Sequence, residues 1–267
     1  GCPAALYLAA AGVGHLVLVD TDTVDTSNLH RQIAHTEAGA RRGETKTASL
    51  AARLLELNSS IRVTQHQLRF GSDVPGGGVF TDLSAERDVP LSLRLVSEVD
   101  IVLDCSDNPR TRYLASDLCT AVGRPLVFGA ALGIHGQLSV FADPRDPTCP
   151  CYRCAFPRPP PPDTVGSCAD NGVIGPVTGV IGSLQALEAL KLATRPADAT
   201  SPLWGTSLAG KLLVWDAGDT MFRSVKLRRR PDCVACGPGG RGEAGIVRLP
   251  ACVCASGTEG GGEGGGK

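Results

Sequence analysis

The chain has no excess of either charge, no apolar run fit for a bilayer and no internal repeat. Its 26 Lys and Arg stand against 27 Asp and Glu, a formal net charge of −1 over 267 residues. That balance gives no electrostatic grounds for nonspecific attachment to nucleic acid or to a membrane. No apolar stretch approaches the roughly 18 residues that spanning requires, and no basic-then-apolar leader opens the chain. The expectation is a cytoplasmic protein with no membrane and no direct nucleic-acid partner. What the chain does have is cysteine, eleven in all, within a globular composition of 42% hydrophobic and 20% charged residues. The expectation is a reducing compartment, where thiols serve metals and chemistry more than disulfides.

Four of the cysteines form two pairs, Cys151-Tyr-Arg-Cys154 and Cys233-Val-Ala-Cys236. A gap of two residues lets both thiolates of a pair reach one tetrahedral ion from a tight turn. Two reduced, unrelated pairs or a redox motif would share the spacing, but two such pairs in one cytosolic chain favour Zn²⁺. Four cysteine ligands leave no open position for a substrate, so the metal is read as structural, a staple between distant parts of the chain.

Alternating strand and helix patterns run through the first half. Pro3 to Ala11 reads as a helix, His15 to Asp20 as a strand, Glu44 to Leu57 as a helix and Ile61 to His66 as a strand. Residues 71–90 read as a loop or insertion. Asp100 to Asp104 is a buried strand, Pro109 to Val122 a helix, Pro125 to Ala131 a strand and Gly136 to Phe141 an antiparallel strand. The fold class is α/β: a Rossmann-like, mostly parallel sheet with helices on both faces and an antiparallel extension. Residues 143–170, with a Pro run at 159–162, suit a long crossover. A helix over 172–193 and a hairpin of 211–216 with 221–227 follow.

Strand ends in open α/β sheets are where ligands gather. Asp20 closes the first strand at the distance from Gly1 where a carboxylate accepts ribose hydroxyls in dinucleotide-binding units. It also fits a plain cap. Ser27-Asn28-Leu29-His30-Arg31, with Lys46 downstream, offers amide and cation donors, and Arg and Lys hold phosphates as fork and point charge. Asp104-Cys-Ser-Asp107-Asn108 closes a second strand, and Asp107 suits Mg²⁺ beside phosphates. Singly, Arg31 and Lys46 also fit solvated charges, and Asp107 fits a helix cap.

In this order and combination the chain resembles the MoeB/ThiF family of ubiquitin-like-protein activating enzymes. Within that family it is most similar to the eukaryotic molybdopterin-synthase sulfurylase (adenylyltransferase and sulfurtransferase) branch. The match rests on residues 8–14, 27–32, 104–108, 151–154, 163–170, 179–188 and 233–236. It runs from residue 1 to about 237, giving an adenylyltransferase domain over 1–236 and a flexible Gly-rich tail over 237–267. The resemblance implies ATP-dependent adenylation of the C-terminal Gly of a ubiquitin-like sulfur-carrier protein, for tRNA thiolation, molybdenum cofactor synthesis or both, by a homodimer. It implies that Asp20 binds ribose; Ser27, Asn28 and Arg31, with Leu29 and His30, position phosphates; and Lys46 neutralises the α-phosphate. Asp107, with Asn108, holds Mg²⁺–ATP. Cys168 matches a cysteine tied to a thioester or persulfide step, and an inert buried thiol is its bland alternative. Cys2, Cys105 and Cys119 are read as core thiols, and Cys149 as a neighbour outside the ligand set.

The sequence departs from the family at its start. The Gly-rich loop and the strand before it fall ahead of Gly1, so two strands are expected to keep unpaired edges in the core. The chain by itself is then expected to bind ATP poorly. A catalytically inactive fragment or pseudoenzyme that binds a carrier or partner is the alternative. A nicotinamide-dependent oxidoreductase leaves Arg31, Lys46 and the cysteine pairs unexplained.

Overall fold

Local signals set most of the elements in the computed structural model, which describes residues 1–73, 79–80, 90–160, 172–196, 205–237 and 247–248. Helix α1 (Cys2–Ala10) carries Pro3 in its first turn, where a missing N–H breaks no helical bond. It leads into β1 (His15–Val19). A 3₁₀ turn (Thr26–Asn28) follows, capped by the Asp25 carboxylate, which accepts from the Ser27 amide. Helix α2 (Glu37–Arg41) is capped by Thr36 and α3 (Lys46–Leu57) by Thr45, each hydroxyl accepting a first-turn amide. Strand β2 (Arg62–His66) then pairs in parallel with β1.

The second half-sheet begins after β3 (Val79–Phe80) and α4 (Leu91–Ser97). Strand β4 (Val102–Asp104) runs parallel to β5 (Leu126–Leu132). Between them lies α5 (Pro109–Val122), with Asn108 as N-cap, Pro109 in the first turn and Gly123 at φ 66° closing it. Strand β6 (His135–Phe141) turns back antiparallel on β5. After α6 (Tyr152–Ala155) and α7 (Gly175–Ala193), the hairpin of β7 (Lys211–Asp216) and β8 (Met221–Lys226) extends the same sheet. The strand order is β4-β5-β6-β7-β8. Strand β9 (Val247–Arg248) pairs antiparallel with β3, within the stretch read as a flexible tail.

Alternation along β5 and β6 builds a core on each face. Leu126, Phe128 and Phe141 pack with Leu93, Tyr113, Leu118 and Tyr152 on the α4–α5 side. Val127, Leu138 and Val140 pack with Leu8, Ala186, Ala189 and Leu192 on the α1–α7 side. Gly129 and Gly136 admit α7 closely: a Cβ at either would fall within 2.5 Å of Gln185 or Ile181. Through that gap the buried Gln185 amide donates to the carbonyls of Asp104 (2.7 Å) and Val127 (3.2 Å). The end of β4 is thus tied to α7.

The sheet is split. Strand β1 bonds only β2 and strand β4 only β5 among the described strands. Both line a cavity of about 1090 Å³, with α1 and α7 residues such as Leu8, Ile181 and Gln185 in its wall.

The sequence reading did not foresee the 3₁₀ turn, α2 or α4. Helix α7 starts at Gly175 rather than 172 because the backbone of residues 172–174 pairs with Gly133, whose amide donates to the Gly172 carbonyl at 3.1 Å and whose carbonyl accepts from the Ile174 amide at 3.2 Å. A Cβ on Gly175 would lie 2.0 Å from the His30 carbonyl oxygen.

Candidate functional site

The C-terminal ends of β1 and β4 open on the same cavity. Asp20, Arg31, Lys46, Asp107 and Asn108 all line it, though they come from the end of β1, the turn after it, the start of α3 and the β4–α5 loop. The Asp20 carboxylate accepts from the Asp22 amide at 2.9 Å, which fixes its direction. Lys46 is nearly withdrawn from solvent, its Nζ 2.6 Å from the Asp22 carboxylate. Arg31 is half-buried and donates to the His30 ring at 2.8 Å. Asn108 caps α5 through the Thr111 amide at 2.9 Å, and Asp107 beside it is exposed.

Ser27, Asn28, Leu29 and His30 do not line the cavity. They form the turn that carries Arg31 to it, with the Ser27 hydroxyl donating to Asp25 at 2.6 Å. That bond and the Ser27 amide hold the Asp25 carboxyl below its usual range. The turn is fixed from behind by α7, through the approach of Gly175 to the His30 carbonyl.

Other polar groups of the cavity were not singled out from sequence. The Asp104 carboxylate is buried, accepts from the Ser106 amide at 2.9 Å and is pushed up by burial. Its Oδ2, the Ser106 hydroxyl and Arg112 Nε find no hydrogen-bond partner among the described residues. Buried His35 joins Ser49 (2.9 Å) to Cys2 (3.7 Å), and burial pushes the imidazole down and the Cys2 thiol up.

The four paired cysteines meet. Their sulfurs all lie within 4.8 Å of one another, with Cys151–Cys233 at 3.5 Å, Cys154–Cys236 at 3.4 Å and Cys151–Cys154 at 3.9 Å. Four sulfurs at about 2.3 Å from one tetrahedral ion sit about 3.8 Å apart, so the set fits zinc. The Arg230 amide donates to Cys154 Sγ at 3.3 Å, as a thiolate requires. Hydrogen bonding from Cys151 holds Cys154 down to about 6 and lowers Cys233 as well. All four are buried, so the cluster has no face for a substrate.

Of the remaining thiols, Cys119 is in the core, as expected, and burial pushes it up. Cys149 lies outside the cluster, facing the Val140 and Pro150 carbonyls at 3.6 Å, and burial pushes it up to about 11. Cys105 corrects the sequence reading: it is exposed, because it sits past the end of β4 on the crevice loop, with its thiol 3.5 Å from Gln185 Oε1. Cys168, Cys252 and Cys254 lie outside the described residues.

A split α/β sheet whose strand ends share a crevice of carboxylates and cations belongs to the open α/β class of fold, in which ligands gather at the carboxyl ends of the strands. The chain belongs to the ThiF family, whose pattern matches residues 1–235. It is 50% identical over 238 residues to the adenylyltransferase and sulfurtransferase MOCS3 of Bos taurus, covering 89% of this chain and 46% of the relative. Against MOCS3 of Dictyostelium discoideum the identity is 43% over 238 residues, covering 89% of this chain and 49% of the relative. The chain spans about half the length of the curated relatives it matches. Among solved structures, E. coli MccB with ATP superposes with a TM-score of 0.64 at 21% identity, covering 89% of this chain and 63% of the other. E. coli MccB with MccA-N7isoASN gives 0.65 at 21% identity, with 89% and 64% covered. These two likenesses concern the fold. No described helix is long and apolar enough to cross a membrane.

Proposed function

We propose that the chain adenylates the C-terminal Gly of a ubiquitin-like sulfur-carrier protein with ATP. The observation that carries this reading is the convergence of Asp20, Arg31, Lys46, Asp107 and Asn108, from separate elements, on one cavity. The carrier's carboxylate oxygen attacks the α-phosphorus; the bond to the bridging oxygen breaks; pyrophosphate leaves and an acyl-adenylate remains. A carboxylate attacking a polyanion needs fixed cations where charge accumulates, already desolvated and in place.

Asp20 accepts the ribose hydroxyls. Arg31 forks onto the phosphate oxygens, and Ser27 and Asn28, with Leu29 and His30, hold the turn that aims it. Lys46 exchanges Asp22 for the α-phosphate, so the resting ion pair keeps the ammonium aimed at the crevice. Asp107, with Asn108 beside it, would hold Mg²⁺, which would supply positive charge to offset that of the phosphates. Zinc at Cys151, Cys154, Cys233 and Cys236 would join the stretch after β6 to the stretch that follows the hairpin and would take no part in the chemistry. Cys168 would serve a later thioester or persulfide step, and the working unit would be a homodimer. The relatives are named as adenylyltransferases and sulfurtransferases, which supports a role in preparing the carrier for thiocarboxylate formation in tRNA thiolation or molybdenum cofactor synthesis.

Carrier-dependent exchange of labelled pyrophosphate into ATP tests the reading. Exchange is expected to need the carrier's terminal Gly and to fall in Lys46→Ala and Asp107→Asn. Exchange indifferent to both substitutions would refute it.

A further inference from the structure

The clasp does more than close on itself. Its first loop is docked on the middle of α5 by groups that point along definite directions. Arg153, between the ligands Cys151 and Cys154, sets Nε and Nη2 each 2.8 Å from the two carboxylate oxygens of Asp117. Both side chains are almost wholly buried, at 6% and 5% exposure. The neighbouring Tyr152 amide donates to the Ser116 hydroxyl at 3.0 Å, and the guanidinium lies 5.0 Å from the centre of the Tyr113 ring. Further up the same helix, Arg112 donates to the Ser106 carbonyl at 3.1 Å and covers the Phe128 ring at 5.6 Å. Asn108 caps the helix, so Ser106, Asp107 and Asn108 move with its first turn.

We propose that Arg153 is a positioning residue for the crevice: it sets the axial register of α5 and so the place of the loop carrying Asp107 and Asn108. Apolar packing of Tyr113, Ala115, Leu118 and Cys119 fixes which face of α5 is buried, but hydrophobic contact is non-directional and tolerates sliding along the axis. A planar fork on two carboxylate oxygens does not. A buried ion pair is a poor source of net stability, since an apolar pair of similar volume often serves as well or better. Register is what the fork adds. From Asp117 to Asn108 is about 14 Å of helix, stiff enough to carry a shift at the clasp to the crevice. The metal enters because it holds the loop from which Arg153 projects.

The crevice role rests on the adenylation reading, but the movement has its own reporter. Cys105 is an exposed thiol on the same loop, and no other cysteine lies between Arg94 and Arg110, so one tryptic peptide reports its alkylation. The double variant Arg153→Met with Asp117→Leu should keep its zinc and its cooperative unfolding. Its Cys105 alkylation by iodoacetamide and amide exchange at 105–112 should nevertheless rise about three- to tenfold, as coupled neighbours commonly show. Affinity for a magnesium–ATP analogue should fall by a similar factor. Chelating zinc should raise Cys105 alkylation in the wild type and add little in the double variant. Should the double variant not fold, Arg153→Lys, which keeps the charge and loses the fork, must show an intermediate rise in Cys105 alkylation. Unchanged Cys105 reactivity in a folded, zinc-loaded variant overturns the proposal. A wild type that binds no nucleotide counts against adenylation and leaves the Cys105 result to decide this one.

Discussion

Lys46 keeps 12% of its side chain exposed and faces Asp22 across 2.6 Å. Such a partly desolvated ammonium interacts more strongly with a phosphate than one in open water. Removing it as Lys46→Ala should lower pyrophosphate exchange by about 10²–10³, the usual effect of deleting one fixed stabiliser of developing charge. The thermal midpoint should move little, which circular dichroism would check; a collapse of the fold would mean that Lys46 is structural. His35 gives a second prediction at this scale. Burial lowers its pKa in the folded chain, with Lys46 adding to the effect, while the unfolded imidazole titrates near 6.5. Protons therefore favour the unfolded state, so this part of the stability is full above about pH 6.5 and is lost as pH falls below it. The thermal midpoint between pH 7 and 5 should drop less for His35→Asn than for the wild type, and equal slopes would remove His35 from the account. Strand ends and helix starts made Asp20, Lys46 and Asp107 candidates in the sequence, where each singly also fits a cap or a solvated charge, and the resemblance supplied their roles. Asp22, His35 and Gln185 could not be picked out, because each matters through a partner distant in the chain or through a buried backbone carbonyl.

Helix α5 was legible to the residue at both ends because Asn108, Pro109 and Gly123 are each strong local signals. Helix α4 was not: it starts behind Pro90 with no capping side chain, and packing of Leu93 and Val96 against α5 supplies what the local sequence does not. The start of α7 differs from the sequence expectation for a similar reason: the pairing of residues 172–174 with Gly133, like the Gly175–His30 approach, is a tertiary fact. Gly175→Ala should cost about 1–3 kcal/mol in urea unfolding, the range for forcing atoms into a filled space. It should also weaken nucleotide binding, because the displaced turn carries Arg31. Unaltered stability would show that α7 and the turn are not in firm contact. The two cysteine pairs were legible from spacing alone, although their meeting needed the fold. Cys233→Ser should abolish stoichiometric zinc, read by atomic emission, and lower the thermal midpoint; full zinc content would exclude the four-sulfur site.

On the scale of the molecule, the seam between β1 and β4 dominates. The α/β class and the antiparallel extension were readable from alternating patterns, and two unpaired strand edges in the core were expected from the resemblance; which strands carry them, β1 and β4, needed the fold, since strand order is a property of the whole sheet. Strand edges without partners in a core are costly, and α1 packed on α3 and α7 holds the two half-sheets across the gap. An extended segment of about five apolar residues, fused ahead of Gly1, should pair with both edges, raise the thermal midpoint and tighten nucleotide binding. The measurement that bears most directly on the account is carrier-dependent exchange of labelled pyrophosphate into ATP, run on the chain with and without that segment. The account expects exchange that requires the carrier's terminal Gly, is stronger with the seam filled and is lost in Lys46→Ala. No exchange in either form, or exchange that ignores Lys46, would contradict it.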